Sequence, residues 1–249
     1  MKKQIQTRQR TRQALLLGSL LLFPVTMNYF SPYIVIDGAA QGILTASLLV
    51  FGVQFTSALF FGRLFCGWVC PAGALQDACS GINNKPVTGN KIDWIKWAIW
   101  IPWLSTILFL VIKVGGYKQV NLLHLTEKGI SVDEPVKFIN YYFVVALFVL
   151  LAAIFGRRAG CHTICWMAPF MIIGRKIGNA LRLSGLRLQA EPEKCTNCLT
   201  CTTHCPMSLD VNGMVQARLM ENSECILCGS CVDGCSKDAI HYRFIQNNS

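Results

Sequence analysis

Eight cysteines near the C-terminus form two runs of one pattern. The first is Cys195-x2-Cys198-x2-Cys201-x3-Cys205-Pro206, and the second is Cys225-x2-Cys228-x2-Cys231-x3-Cys235, with Ser236 where the proline stood. Three thiolates on a tight turn reach three iron corners of a cubane while a more distant one closes the fourth, and in a two-cluster run the fourth cysteine ligates the other centre. The spacing therefore predicts two [4Fe-4S] clusters with crossed ligation. Cluster 1 takes Cys195, Cys198, Cys201 and Cys235; cluster 2 takes Cys225, Cys228, Cys231 and Cys205. A structural zinc site needs four tetrahedral ligands and would leave half of the array without a role. Gly229 and Gly234 permit the close turns. Asn197, Thr202 and Thr203 are candidate donors to sulfur or plain solvated loop residues.

Four further cysteines sit in a repeat. Phe61-Gly62-Arg63 precedes Cys66-x3-Cys70-Pro71, and Phe155-Gly156-Arg157 precedes Cys161-x3-Cys165, whose cysteines lie 95 residues on, with Pro169 a little later. Glycine and proline at these points stop or redirect a helix, and irregular backbone at membrane depth must be buried in protein or line a cavity. Cys66, Cys70, Cys161 and Cys165 thus have two readings. They hold a further cluster or metal, or form a redox-active dithiol beside a quinone; or they are thiols packed as small apolar residues. Cys79 has no copy and reads as an ordinary thiol.

The elements that must position these residues are apolar. Of 249 residues 53% are hydrophobic and 14% charged, and the mean hydropathy is +0.41. A bilayer core takes about 20 helical residues, and four runs approach that length: 14–31, 43–61, 92–114 and 138–155. The expected fold is an α-helical membrane protein of four transmembrane helices, arranged as two parallel hairpin repeats. A membrane domain over 1–190 then leads into an α+β two-cluster ferredoxin domain over 191–249. Residues 168–188 alternate apolar and basic side chains and predict an interfacial amphipathic helix joining the two.

Lys and Arg set the orientation. Fourteen lie in the N-terminal tail, in 62–91 and in 156–190, against three in the connections 32–42 and 115–137. Both termini are therefore expected in the cytoplasm of a bacterial inner membrane. The net charge of +10 divides into −3 for residues 191–249 and +13 for the rest, so the basic excess reads as topogenic and not as a nucleic-acid surface. None of His124, His162, His204 and His241 lies in a predicted span, which argues against an intramembrane haem. No dinucleotide, P-loop or nucleophile motif appears. Trp94, Trp97, Trp100 and Trp103 read as packing or interface anchors rather than a quinone site.

The four runs, the stretch from Cys66-Gly67-Trp68-Val69-Cys70-Pro71 through Gln76, the second C-x3-C and the tail array together resemble a family. It is the NapH-type ferredoxin membrane subunits of periplasmic nitrate reductase systems, with relatives in nitrous-oxide respiration, methylamine utilisation and oxidase assembly. Trp166, where that pattern has a proline, is a departure. The resemblance implies a quinol dehydrogenase subunit without a stand-alone catalytic residue. It would take electrons from menaquinol or ubiquinol and pass them, with a second ferredoxin subunit, toward a cytochrome or reductase. The alternative is an assembly or maturation factor supplying electrons to a metalloenzyme.

Overall fold

The computed structural model describes residues 2–87, 92–126 and 129–246, with side chains from Thr7 onward. Lys91 and Lys128, which enter the charge count, lie outside these residues. The chain opens on α1 (Lys2–Leu21), followed by α2 (Phe23–Thr26) and a 3-10 turn, Met27–Phe30. Pro24 at the start of α2 fits there because a first-turn residue needs no amide donor. The predicted span 14–31 is therefore not one straight helix: the chain bends by 60° between Thr7–Leu21 and Phe23–Phe30.

The connection after it is itself helical, α3 (Pro32–Gln41), and ends at Gly42 in the left-handed conformation. β1 (Ile43–Thr45) then pairs in parallel with β2 (Gln119–Asn121), which ties together the two connections at that end of the molecule. The 43–61 run begins as this strand and continues as α4 (Ala46–Phe61), capped by the Thr45 hydroxyl. α7 (Ile95–Val114) and α8 (Lys137–Phe155) are long and apolar enough to cross a membrane, and the bent pair would make a third span. At 16 residues α4 is shorter.

Each of α4 and α8 stops at a glycine with positive φ, Gly62 and Gly156. Both copies then continue in the same way. Short helices α5 (Leu64–Trp68) and α9 (Ala159–Thr163) lead to the proline-started helices α6 (Pro71–Ala78) and α10 (Ala168–Ala180).

α10 departs from the expected interfacial helix at 168–188. It ends at Ala180, and Gly185–Ala190 is a strand, β3, paired antiparallel with β4 (Ile240–Ile245). α10 also packs into the protein rather than lying on a surface. A Cβ at Gly174 would lie 2.6 Å from the Phe55 carbonyl oxygen, and one at Gly178 2.3 Å from that of Leu59, so this small-x3-small stripe lets α10 and α4 touch backbone to backbone. The sheet of the cluster domain thus takes in residues before 191. Around it lie α11 (Thr200–Thr203), α12 (Val211–Gln216) and α13 (Ser230–Asp233).

Gly178→Ala should overpack the α4–α10 contact and cost about 1–3 kcal/mol. The thermal unfolding midpoint in detergent should fall for it and not for Gly52→Ala, where a Cβ meets nothing within 4 Å.

Candidate functional site

The tail folds as two copies related by a shift of 30 residues, and the backbone repeats in detail. Positive φ occurs at Asn197 and Leu227, at Leu199 and Gly229, and at Ser208 and Asp238. Apart from glycine, these residues hold a conformation that L-side chains adopt only at a cost, of the kind stored at functional sites. The turns wrap α11 and α13, and each carries its three clustered cysteines around a small cavity. Cys195, Cys198, Cys201 and Cys235 line one of these cavities. Cys205, Cys225, Cys228 and Cys231 line the other. The structure thus brings together the two sets of four that the spacing singles out, each taking its fourth member from the other run.

The two sites differ in surroundings. Cys198 is exposed, and the Thr200 hydroxyl and amide lower its thiol pKa. Burial pushes Cys225 up to about 12 and Cys231 well above its ordinary value. The first site opens to solvent, while the second faces the helical part of the molecule.

The contact at that inner face is close. A Cβ on Gly67 would lie 2.3 Å from the Ile226 carbonyl oxygen, so only glycine allows the first C-x3-C hairpin to approach the 225–231 loop. Trp68 Nε1 donates to the Leu227 carbonyl at 3.0 Å, and Gln9 Nε2 to that of Cys228 at 3.1 Å. Arg12 Nε donates to the Gly67 carbonyl at 2.8 Å. Arg8 pairs with Asp233 and lies over the Tyr242 ring. From the second copy, Arg157 Nη1 donates to the carbonyl of Thr203 at 2.5 Å.

The two hairpins repeat residue for residue at the cysteines. Arg63 and Arg158 cap α5 and α9, and each lies three residues before its first cysteine. Cys66 N donates to the Arg63 carbonyl and Cys161 N to that of Arg158. Likewise Cys70 N donates to the Phe65 carbonyl and Cys165 N to that of Gly160. The repeated unit is therefore R-x2-C-x3-C. The partner of Arg63 is the buried Arg158 rather than Arg157, which the match of Phe-Gly-Arg suggests; the extra residue is absorbed by a left-handed Arg158, φ 48°.

The copies interlock. Arg158 Nη1 donates to the Cys66 carbonyl at 2.8 Å. Gln76 of the first copy accepts from Gly160 N at 2.8 Å, and its Nε2 lies 3.2 Å from the Cys161 sulfur. Cys66 Sγ lies 3.8 Å from Met171 Sδ. The sulfurs of Cys66, Cys161 and Cys165 all lie near enough to act electrostatically on Cys70. Burial, then Cys161 and Cys66, push Cys165 up to about 12. Cys79 is buried in the 3-10 turn Cys79–Gly81, outside this group and outside both tail cavities.

Charge is compensated throughout the junction. Arg158 Nε and Nη2 grip both Asp77 oxygens at 2.6 and 2.7 Å, and Arg12 Nη2 shares Asp77 at 2.6 Å. Arg63 Nη1 meets Glu224 at 2.6 Å, and Lys96 Nζ meets its other oxygen at 2.6 Å and Asp93 at 3.5 Å. Asp93 in turn meets His162 Nδ1 at 2.7 Å. Burial works against the Glu224 charge, and Arg63 and Lys96 outweigh it, holding this carboxyl below its usual range. Asp93, His162 and Glu224 are spaced like metal ligands, but the Lys96 ammonium already supplies the cation between the two carboxylates.

On the other side of the hairpins lies an apolar cavity of about 350 Å³. Cys70 and Cys165, the second cysteine of each copy, are in its wall, with Phe30, Trp166, Asn140 and Ser131 among the others. Trp166 is the departure from the proline pattern; its indole N–H donates to the Phe30 carbonyl at 2.9 Å. Trp94, Trp97, Trp100 and Trp103 do not line this cavity.

A family of 4Fe-4S binding domains matches the chain twice, over residues 43–87 and 140–183, and a 4Fe-4S dicluster domain matches residues 187–236. Each match of the first family contains one C-x3-C segment, Cys66 to Cys70 or Cys161 to Cys165. Relatives extend along most of the chain. YccM of Escherichia coli is 24% identical over 82% of this chain and 57% of its own length, so the chain spans little more than half of it. The ferredoxin-type protein NapH of Escherichia coli is 25% identical over 89% of this chain and 76% of that protein. The methylamine utilization ferredoxin-type protein MauN of Paracoccus denitrificans is 26% identical over 80% and 68%. No solved structure matches. With a duplicated 4Fe-4S binding domain followed by a dicluster domain, the chain is a relative of the ferredoxin-type electron-transport proteins NapH and MauN.

Proposed function

We propose that this chain is a membrane-bound iron-sulfur electron-transfer subunit that draws electrons from a quinol. The observation that carries this reading is the 350 Å³ apolar cavity walled by one cysteine from each repeat. A flat ring with an isoprenoid tail needs apolar walls and a few polar groups to orient it. Phe23, Phe30, Val144 and Phe148 supply the walls; Asn28, Ser31, Ser131 and Asn140 supply the polar groups. Oxidation of a quinol releases two electrons and two protons, so it needs one-electron acceptors beside it.

Three groups of four cysteines fit iron-sulfur centres. Cys195, Cys198, Cys201 and Cys235 would hold one and Cys205, Cys225, Cys228 and Cys231 a second, in agreement with the two cavities they line. Cys66, Cys70, Cys161 and Cys165 would hold a third, supported by their mutual proximity, by the Gln76 amide at the Cys161 sulfur and by the match of a 4Fe-4S binding domain to each hairpin. A [4Fe-4S] centre, when bound, takes up and releases one electron at a potential set by charge, hydrogen bonds and exposure. The chain's own part is to hold the sulfurs, exclude water from the inner sites and bring the three groups next to one another. The succession runs from the cavity, through the hairpins, to exposed Cys198.

Four crossings with both termini cytoplasmic accord with the distribution of Lys and Arg and with the bent first span, while the 16 residues of α4 give only about 24 Å of helix, short of a full bilayer core. The cavity reaches Leu125 and Ser131 in the connection between α7 and α8, on the far side from the tail in this topology. The NapH resemblance implies a second ferredoxin subunit as partner and a reductase outside the cytoplasm as destination, whereas the tail sites of this topology lie on the cytoplasmic side; the hairpin cysteines, set between tail and cavity, would be the relay across that gap.

Anaerobically purified protein should contain about 12 iron atoms and as many acid-labile sulfides, from three four-iron centres. A count near 8 that persists after reconstitution would remove the third centre. In inverted membranes, quinol should reduce the electron paramagnetic resonance signals of the centres. Val144→Trp, which fills the cavity, should slow that reduction at least tenfold without changing iron content. Equal rates in the two proteins would dismiss this cavity as the quinol site.

A further inference from the structure

Arg63 and Arg158 occupy equivalent positions and do different work. Arg158 is fully buried and uses all of its guanidinium, on both oxygens of Asp77 and on the Cys66 carbonyl. Arg63 is 2% exposed, and only Nη1 is engaged, by Glu224 and the Ser223 carbonyl. Its Nε and Nη2 are buried without a hydrogen-bond partner. Leaving charged donors unpaired in an interior costs more than leaving neutral ones, and each such group calls for an explanation. The sulfurs of Cys66, Cys165 and Cys161 act electrostatically on this guanidinium.

We propose that Arg63 is the countercharge and sulfur-directed hydrogen-bond donor of the centre held by Cys66, Cys70, Cys161 and Cys165, and that it sets that centre's reduction potential. The inference rests on the third centre of the proposed function and goes one step beyond it. Four thiolates around an iron-sulfur core carry net negative charge, and a buried anion needs a partner. The neighbouring cations are committed elsewhere: Arg158 and Arg12 to Asp77, Lys96 to Glu224 and Asp93. Of these four only Arg63 has buried nitrogens with no partner, and its planar fork suits two acceptors at once. Positive charge and N–H donors at the sulfurs favour the reduced, more negative core, so Arg63 raises the potential. Because Nη1 is bound to Glu224, next to Cys225, the same side chain ties this centre to the inner tail site.

The test uses the full chain in membranes, with iron and sulfide counts beside a redox titration followed by electron paramagnetic resonance. Arg63→Met is combined with Glu224→Gln, so that both members of the ion pair are neutralised together, and compared with Glu224→Gln alone. A wild-type count near 8 irons removes the centre itself, and with it this proposal. With a count near 12, the double variant should titrate its third signal at a lower potential than Glu224→Gln alone, or lose that signal only. Arg63→Lys, which keeps the charge but not the fork, should fall between the two. It also decides the matter if the double variant does not accumulate, because a third-signal midpoint equal to wild type in Arg63→Lys overturns the proposal. An unchanged midpoint in the double variant at 12 irons, or an equal shift of all three signals, overturns it as well.

Discussion

The backbone of the 225–231 loop rests on the backbone of the Cys66 hairpin with no side chain between them. At Gly67 the separation leaves no room for even a methyl group. Peptide groups brought this close and removed from water must all find partners, and the surrounding side chains are arranged to supply them. The Leu227 carbonyl accepts from Trp68 Nε1 and from the Tyr242 hydroxyl, the Cys228 carbonyl from Gln9 and the Gly67 carbonyl from Arg12. The early turns of α1, the α7 start carrying Lys96 and the middle of β4 are thereby all fixed by one contact. Loss of Glu224 alone would leave the buried Arg63 guanidinium stranded beside it, a change that costs about 3–5 kcal/mol in comparable pairs.

This contact also revises the meaning of the chain's basic charge. Counted along the sequence, the Lys and Arg excess reads as an orientation signal. In the structure Arg12, Arg63, Arg158, Arg175 and Arg187 are buried, each against Asp77, Glu224 or Glu221. The topogenic account therefore covers only part of the excess. The rest is interior wiring, in which arginine serves because its fork satisfies a carboxylate and a backbone carbonyl together.

How much of this was legible beforehand depends on whether the signal was local. The cysteine runs and the C-x3-C repeat are local, and the residues they single out converge. The bend near Pro24 was local too, but an unbroken apolar run hid it. Leu186 and Leu188 alternate with Arg187 and Gln189 at period two, the pattern of strand β3; reading them as the end of a helix mistook alternating apolar and polar residues for an amphipathic face. R-x2-C-x3-C was available in the sequence and was obscured by the one-residue offset of Phe-Gly-Arg. Gln76 closed the stretch that carries the family resemblance but gave no sign of its role, because that role depends on a hairpin 85 residues away. The cavity is likewise non-local: its wall comes from several separate segments and no one of them marks it.

The duplicated hairpin is symmetric in backbone and asymmetric in surroundings, and the asymmetry gives the molecule a direction. One copy meets the cluster domain through Gly67 and Arg63, and the other meets α6 through Gly160, Arg158 and Gln76. A strictly symmetric pair would present equal faces to both sides. Here the first cysteines, Cys66 and Cys161, belong to the packed core, whereas the second cysteines, Cys70 and Cys165, face the apolar cavity. The repeat supplies two equivalent thiol pairs, and the unequal pairing of Arg63 and Arg158 sets them apart: Arg63 is held by Glu224 of the tail, and Arg158 by Asp77 of α6.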